Sequence, residues 1–257
     1  MQASPRPQRA ARWAATQAAF FARHVVLHTH VEKCAGSTLC YALSRMFGTA
    51  QCLDLRQPDA PRPEALTPAE RAGVRLLSGH FRAGSHEDVF DRRPVRIALV
   101  RDPIDRLLSF LGFLSRSPGH PEYPRFGALH PEAAVAAMLA QDHRLTADGQ
   151  CRVLSGERRF QAARRAVEED YLVVLPHTRW LDVARLFAEA LGLPRPNPRL
   201  HRNAAPPGPR PRLDPATEAL LRAATAEDAQ LVAWVEENAD RLLARARERL
   251  AALVADA

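Results

Sequence analysis

Three short apolar runs, set far apart along 257 residues, constrain this chain more than any other feature. They are His24 to Val31 (HVVLHTHV), Val95 to Val100 (VRIALV) and Tyr171 to Leu175 (YLVVL), with a weaker fourth run at Val74 to Ser78. Each has the length of a strand and little polar alternation, as expected of strands buried on both faces. Helical periodicity fills the intervals at 37–46, from Pro68, 103–111, 131–141, 157–169 and 180–191, and two closing helices follow at 215–225 and 227–252. Strands separated by helices pair in parallel through crossovers, so the expected fold is α/β with a mostly parallel central sheet covered by helices on both faces. No internal repeat and no second domain are visible. Residues 1–23 read as an N-terminal extension and opening helix, and 24–257 as a single domain.

Such sheets bind ligands beyond the carboxyl ends of their strands, and the chemistry-bearing residues fall there. After the first run come Glu32, Lys33, Cys34, Ala35, Gly36, Ser37 and Thr38; after the weaker run, Gly79, His80 and Phe81; after Val95 to Val100, Arg101, Asp102 and Pro103. Strand, small-residue turn and helix start form an arrangement that aims free backbone N–H groups at an anion. Lys33, the only lysine of the chain, can bring an ammonium to a phosphate or a departing oxygen. Gly36 permits close backbone approach, and Ser37 and Thr38 offer hydroxyls. The Walker order is absent because the lysine precedes the glycine. On residues alone, the loop reads either as a phosphate site or as a plain strand–helix turn. Arg101 can pair bidentately with a phosphate, Asp102 suits a helix cap, and Ser109 lies two turns into the following helix.

The balance of charge agrees with an anionic ligand. The net charge is +7, nearly all from arginine, and the isoelectric point lies near 10. That suits nucleotides, acidic glycans or DNA without choosing among them. Aromatics are only 6%, which argues against a nucleic-acid module built on base stacking. Four cysteines without metal spacing read as buried thiols or as a sign of a reducing compartment. The histidines and acids show no His-Glu-x-x-His spacing, and no metal is expected. No run approaches the ~20 apolar residues of a membrane span. Arg6, Arg9 and Arg12 ahead of Trp13 to Phe21 read as an opening helix, with an export signal or peripheral membrane contact as the alternative, so the expected location is cytoplasmic.

Taken together, these stretches resemble the carbohydrate sulfotransferases that use 3′-phosphoadenosine 5′-phosphosulfate (PAPS), nearest a bacterial-type soluble form of the heparan sulfate 2-O-sulfotransferases. His30-Val-Glu-Lys-Cys-Ala-Gly-Ser-Thr-Leu39 is similar to the family's 5′-phosphosulfate loop, His-x-Pro-Lys-Thr-Ala-Gly-Thr-Ser/Thr-Leu. Arg101-Asp-Pro-Ile-Asp-Arg-Leu-Leu-Ser109 is similar to its 3′-phosphate motif, Gly79-His-Phe81 to its Gly-His element, and Gly149-Gln-Cys-Arg-Val-Leu-Ser-Gly156 to its Gln-Thr-Arg-x-Leu-x-Gly stretch. The resemblance implies a P-loop-like three-layer sandwich. It places Lys33, Cys34, Ala35, Gly36, Ser37 and Thr38 around the 5′-phosphate, Arg101 and Ser109 on the 3′-phosphate, and Arg202 and Asn203 in a late loop over the nucleotide. Two departures stand out: Glu32 replaces the usual proline and Cys34 the usual threonine.

In-line sulfuryl transfer needs a base for the acceptor hydroxyl and positive charge on the leaving oxygen. Lys33 supplies the charge. His80, at a strand end, is the expected base, with His86 and Glu87 as runners-up and substrate orientation as its other reading; His28 and His30 are expected to be structural. Glu32 can orient Lys33 or act as a second carboxylate base. Arg82, Arg116, Arg125 and Arg144 read equally as an acceptor cleft or as a solvated arginine surface. Residues 51–73 and 112–130 are expected to select the acceptor, a hydroxyl of a carbohydrate or glycolipid. A kinase-like phosphotransferase and a catalytically silent nucleotide-binding protein are the competing readings; oligomeric state is not legible.

Overall fold

The computed structural model describes residues 5–200 and 212–257. Helix α1 (Pro5–Arg23) runs directly into β1 (His24–Thr29), which a six-residue loop joins to α2 (Gly36–Phe47). The chain continues through β2 (Cys52–Asp54), α3 (Pro68–Gly73), β3 (Leu76–Gly79) and β4 (Arg93–Val100) to α4 (Pro103–Leu114). Helices α5 (Pro131–Ala140), α6 (Gly149–Ser155) and α7 (Phe160–Glu169) precede β5 (Tyr171–Pro176). Helices α8 (Trp180–Leu191), α9 (Pro215–Ala224), α10 (Ala226–Glu237) and α11 (Ala239–Ala255) follow.

The five strands form one wholly parallel sheet in the order β2-β3-β1-β4-β5. Because β1 is central, its two faces feed different cores. Val26 joins the main apolar core with residues of α2, α8 and α11, while Val25 and Leu27 join Val74, Leu77, Phe81 and Phe90 on the opposite face. Helices α7, α8, α10 and α11 all pack on β5. A third cluster holds α4 against α5 and α9 through Leu107, Phe110, Met138 and Leu221. The α/β sandwich expected from the strand runs is the one observed. No helix among the described residues is long and apolar enough to cross a membrane.

Three features differ from the sequence expectation. Strand β2 lies in the proline-rich excursion, where three half-buried residues paired only to β3 carry no periodic signal. Helix α6 also escapes the local reading. Its N-cap Asp148 has φ 46°, and the N–H groups of Gln150 and Cys151 are satisfied by the distant Asp228 carboxylate at 3.0 and 2.8 Å. The long closing helix is two helices, broken at Asn238 (φ −103°, ψ 7°). Gly192 ends α8 with φ 60°, and a side chain there would strike Trp13; this glycine lets α1 dock on the sandwich.

Candidate active site

The loop from β1 to α2 begins under strain. Lys33 and Ala35 both take left-handed backbone conformations, φ 62° and 59°, rare for residues with a side chain. Gly36 and Ser37 open α2 and have no acceptor for their N–H groups within it, which leaves two donors at the helix start. The space above Gly36 is filled by the buried His30 ring, into which any Cβ would project. The glycine therefore serves the packing of His30. Lys33 lays its Nζ 4.2 Å from the centre of the Phe113 ring on α4. Burial lowers its pKa, Glu32 opposes the effect, and Arg101 and Arg116 add to it. Thr38 is buried one residue beyond Ser37.

Cys34 is fully buried and faces inward. Its thiol donates to the Glu32 carbonyl (3.5 Å) and to Gln150 Oε1 (3.7 Å), and burial pushes its pKa up to about 12. It is a neutral structural group at this position. Gln150, also fully buried, clamps the exit of β4: its Oε1 accepts from the Arg101 N–H (3.0 Å) and its Nε2 donates to the Arg101 carbonyl (2.8 Å). Asp228 anchors the clamp through the Gln150 N–H and lies 3.7 Å from Arg106 Nη1. Sequence reasoning missed Gln150 as a site residue, although its place in the Gly149–Gly156 stretch is a usable signal. Asp228 has no local signal.

Arg101 projects across this edge. Its Nη1 donates to the Lys33 carbonyl (3.2 Å), its Nη2 lies 3.7 Å from Asp105, and its buried Nε has no partner among the described residues. Asp102 caps α4 by accepting from the Asp105 N–H (2.8 Å). Ser109 is half-buried one turn beyond Asp105 and shares its helix face. Arg202 and Asn203 lie outside the described residues.

At the exit of β3, His80 is exposed and stacks on His30 with ring centres 4.6 Å apart. Its Nδ1 lies 2.7 Å from the His30 carbonyl oxygen. A carbonyl only accepts, so Nδ1 carries the proton and a neutral ring presents its lone pair at Nε2. His86 is bound to Glu64 (2.8 Å) and Glu87 is paired with Arg96, so both runners-up are engaged elsewhere. His28 is fully buried and bonds Ser78 Oγ (2.9 Å); burial takes its pKa down to about 3, and burial likewise holds His30 neutral.

Glu32 does not pair with Lys33. Its carboxylate is held by Arg144, which also holds Glu122 with Nη1 at 2.6 Å. Burial pushes the Glu32 pKa up, but the Arg144 hydrogen bonds outweigh it and leave the carboxyl below its ordinary range. Of the four arginines assigned to a cleft or a solvated surface, Arg144 is therefore committed to two carboxylates, and Arg125 reaches Gln141. All four are exposed by residue.

The β1–α2 loop, the His80 turn and the Arg101 turn thus meet at the carboxyl edge of a parallel sheet. A family model described as the sulfotransferase family matches residues 16–152, over half the chain and all three turns. The chain belongs to the sulfotransferase family. Its general chemistry is sulfuryl transfer, and this membership does not favour the phosphotransferase alternative. A search of curated proteins finds no significant match. The family match runs from within α1 to α6, so it takes in Gln150 and ends before Asp228. Among the described residues, no group of three or more His, Cys, Asp and Glu side chains is arranged to hold a metal ion.

Proposed function

We propose that this sulfotransferase moves the sulfuryl group of PAPS to a hydroxyl of a carbohydrate or glycolipid, by in-line transfer with His80 as the base. The observation that carries this reading is the hydrogen bond from Arg101 Nη1 to the Lys33 carbonyl, which draws the two phosphate motifs into one site. The residues suit a nucleotide with phosphates at both ends. Arg101 has a buried Nε without a partner among the described residues and addresses a second anion, while the N–H groups at the start of α2 and Lys33 address the first.

The donor brings an activated sulfur whose leaving group is a phosphate oxygen. In this reading Lys33 leaves the Phe113 ring to neutralise charge on that oxygen, and the N–H groups of Gly36 and Ser37 with the hydroxyls of Ser37 and Thr38 orient the phosphate. Cys34 and Ala35 shape the loop around it, with the Cys34 thiol turned inward to Gln150. Arg101 and Ser109 hold the 3′-phosphate, and Arg202 and Asn203, outside the described residues, are assigned to the nucleotide by the resemblance alone. His80 takes the acceptor proton on Nε2, its tautomer held by the His30 carbonyl. The carbohydrate class of acceptor rests on the resemblance of the strand-exit motifs.

The test is a screen of hydroxyl acceptors with PAPS, read by mass spectrometry as the gain of one sulfuryl group. His80→Ala should cut turnover by about 10²–10⁴-fold while leaving nucleotide affinity intact. Unchanged turnover would remove His80 as the base.

A further inference from the structure

The reaction just described has no use for Arg56, yet the fold brings it to the same edge. Asp54 pairs with Ser78, and the Leu55 N–H extends that ladder to the Ser78 carbonyl (2.8 Å), so Arg56 emerges beside the turn that carries His80. Asp54 grips the guanidinium from two sides. Nε donates to Oδ1 at 2.8 Å and Nη2 to Oδ2 at 2.6 Å, and the Arg56 N–H also reaches Oδ1 at 3.2 Å. The remaining nitrogen, Nη1, reaches back 19 residues and donates to Ser37 Oγ at 2.5 Å. Both members of the ion pair are about four-fifths buried, with side-chain exposures of 20% and 18%.

A serine hydroxyl has one hydrogen to give and lone pairs to receive. With the guanidinium donating to the Ser37 oxygen, the Ser37 hydrogen is directed away from Arg56. Ser37 is the second residue of α2, in the first turn, whose N–H groups have no acceptor within the helix. The Asp54 carboxylate offsets most of the Arg56 charge, so what Arg56 contributes is direction more than field.

We propose that Arg56 is a positioning residue of the donor site: held by Asp54, it turns the Ser37 hydroxyl onto the 5′-phosphate of the bound nucleotide. The inference rests on the donor-site reading above, and names a residue that neither the motif nor the proposed reaction assigns.

The test titrates two probes, adenosine 3′,5′-bisphosphate and adenosine 3′-monophosphate, into the wild-type chain, Arg56→Gln, Ser37→Ala and the double variant. Each single variant should bind the bisphosphate about tenfold more weakly, a charge-assisted hydrogen bond's worth, and bind the monophosphate as the wild type does. The double variant should be no weaker than either single one. Arg56→Lys should behave as Arg56→Gln, since an ammonium cannot fork Asp54 and reach Ser37 at once; should Arg56→Gln not fold, this variant carries the same comparison. Equal losses on both probes, additive losses in the double variant, or no loss would overturn the inference. Failure of the wild-type chain to bind the bisphosphate would overturn the donor-site reading itself, and the inference with it.

Discussion

The Arg144 guanidinium holds the Glu32 carboxylate through Nε and Nη2, the latter at 3.0 Å, across 112 residues of chain. Glu122 accepts from the same guanidinium, so one arginine ties the β1–α2 loop to the 115–130 segment.

This tie has a consequence in acid. Burial alone would raise the Glu122 pKa, but hydrogen bonds from Arg144 and His143 take it from the ordinary 4.5 to about 2. A carboxyl with a depressed folded pKa stabilises the protein above its unfolded value and loses that contribution as pH falls through the folded one. Stability should therefore decline between about pH 4.5 and 2 in the wild type. Arg144→Ala should cost about 1–2 kcal/mol at neutral pH, discounted because Arg144 is nearly half exposed, and should flatten that decline. Denaturant titrations at stepped pH measure both; an unaltered slope in the variant would contradict the assignment.

Gln150 should prove as important to the proposed donor site as Lys33 and Arg101. Gln150→Leu keeps the bulk but strands the half-buried N–H and C=O of Arg101, at a cost of about 1–3 kcal/mol. Thermal unfolding should register that loss, and affinity for adenosine 3′,5′-bisphosphate should fall because the Arg101 turn is no longer held. A variant with wild-type stability and affinity would show that the clamp is dispensable.

Gly36→Ala tests whether that glycine serves His30 or the ligand. The added methyl must displace the His30 ring, which should cost about 1–3 kcal/mol as overpacking does. Combining it with His30→Ala removes the obstacle, and the melting temperature of the double variant should return to that of His30→Ala alone. A double variant as destabilised as the sum of the two would contradict this account.

The sandwich was legible because β1, β4 and β5 are continuous apolar runs whose burial requires helices between them. The strand-exit turns were legible for the same reason, since the ends of those runs locate the carboxyl edge. What escaped the sequence is held by distant partners. Strand β2 exists through its pairing with β3, α6 begins where Asp228 captures its N–H groups, and Glu32 finds Arg144 in place of its neighbour Lys33. The inward turn of Cys34 toward Gln150 is likewise set across 116 residues, beyond any local pattern.

Calorimetric titration with adenosine 3′,5′-bisphosphate, beside ADP and ATP with and without Mg²⁺, probes the proposed donor site for a nucleotide with phosphates at both ends. Binding should be independent of metal, prefer the bisphosphate, be lost in Arg101→Ala and be weakened in Lys33→Ala. Equal or tighter binding of ATP with Mg²⁺ would contradict it.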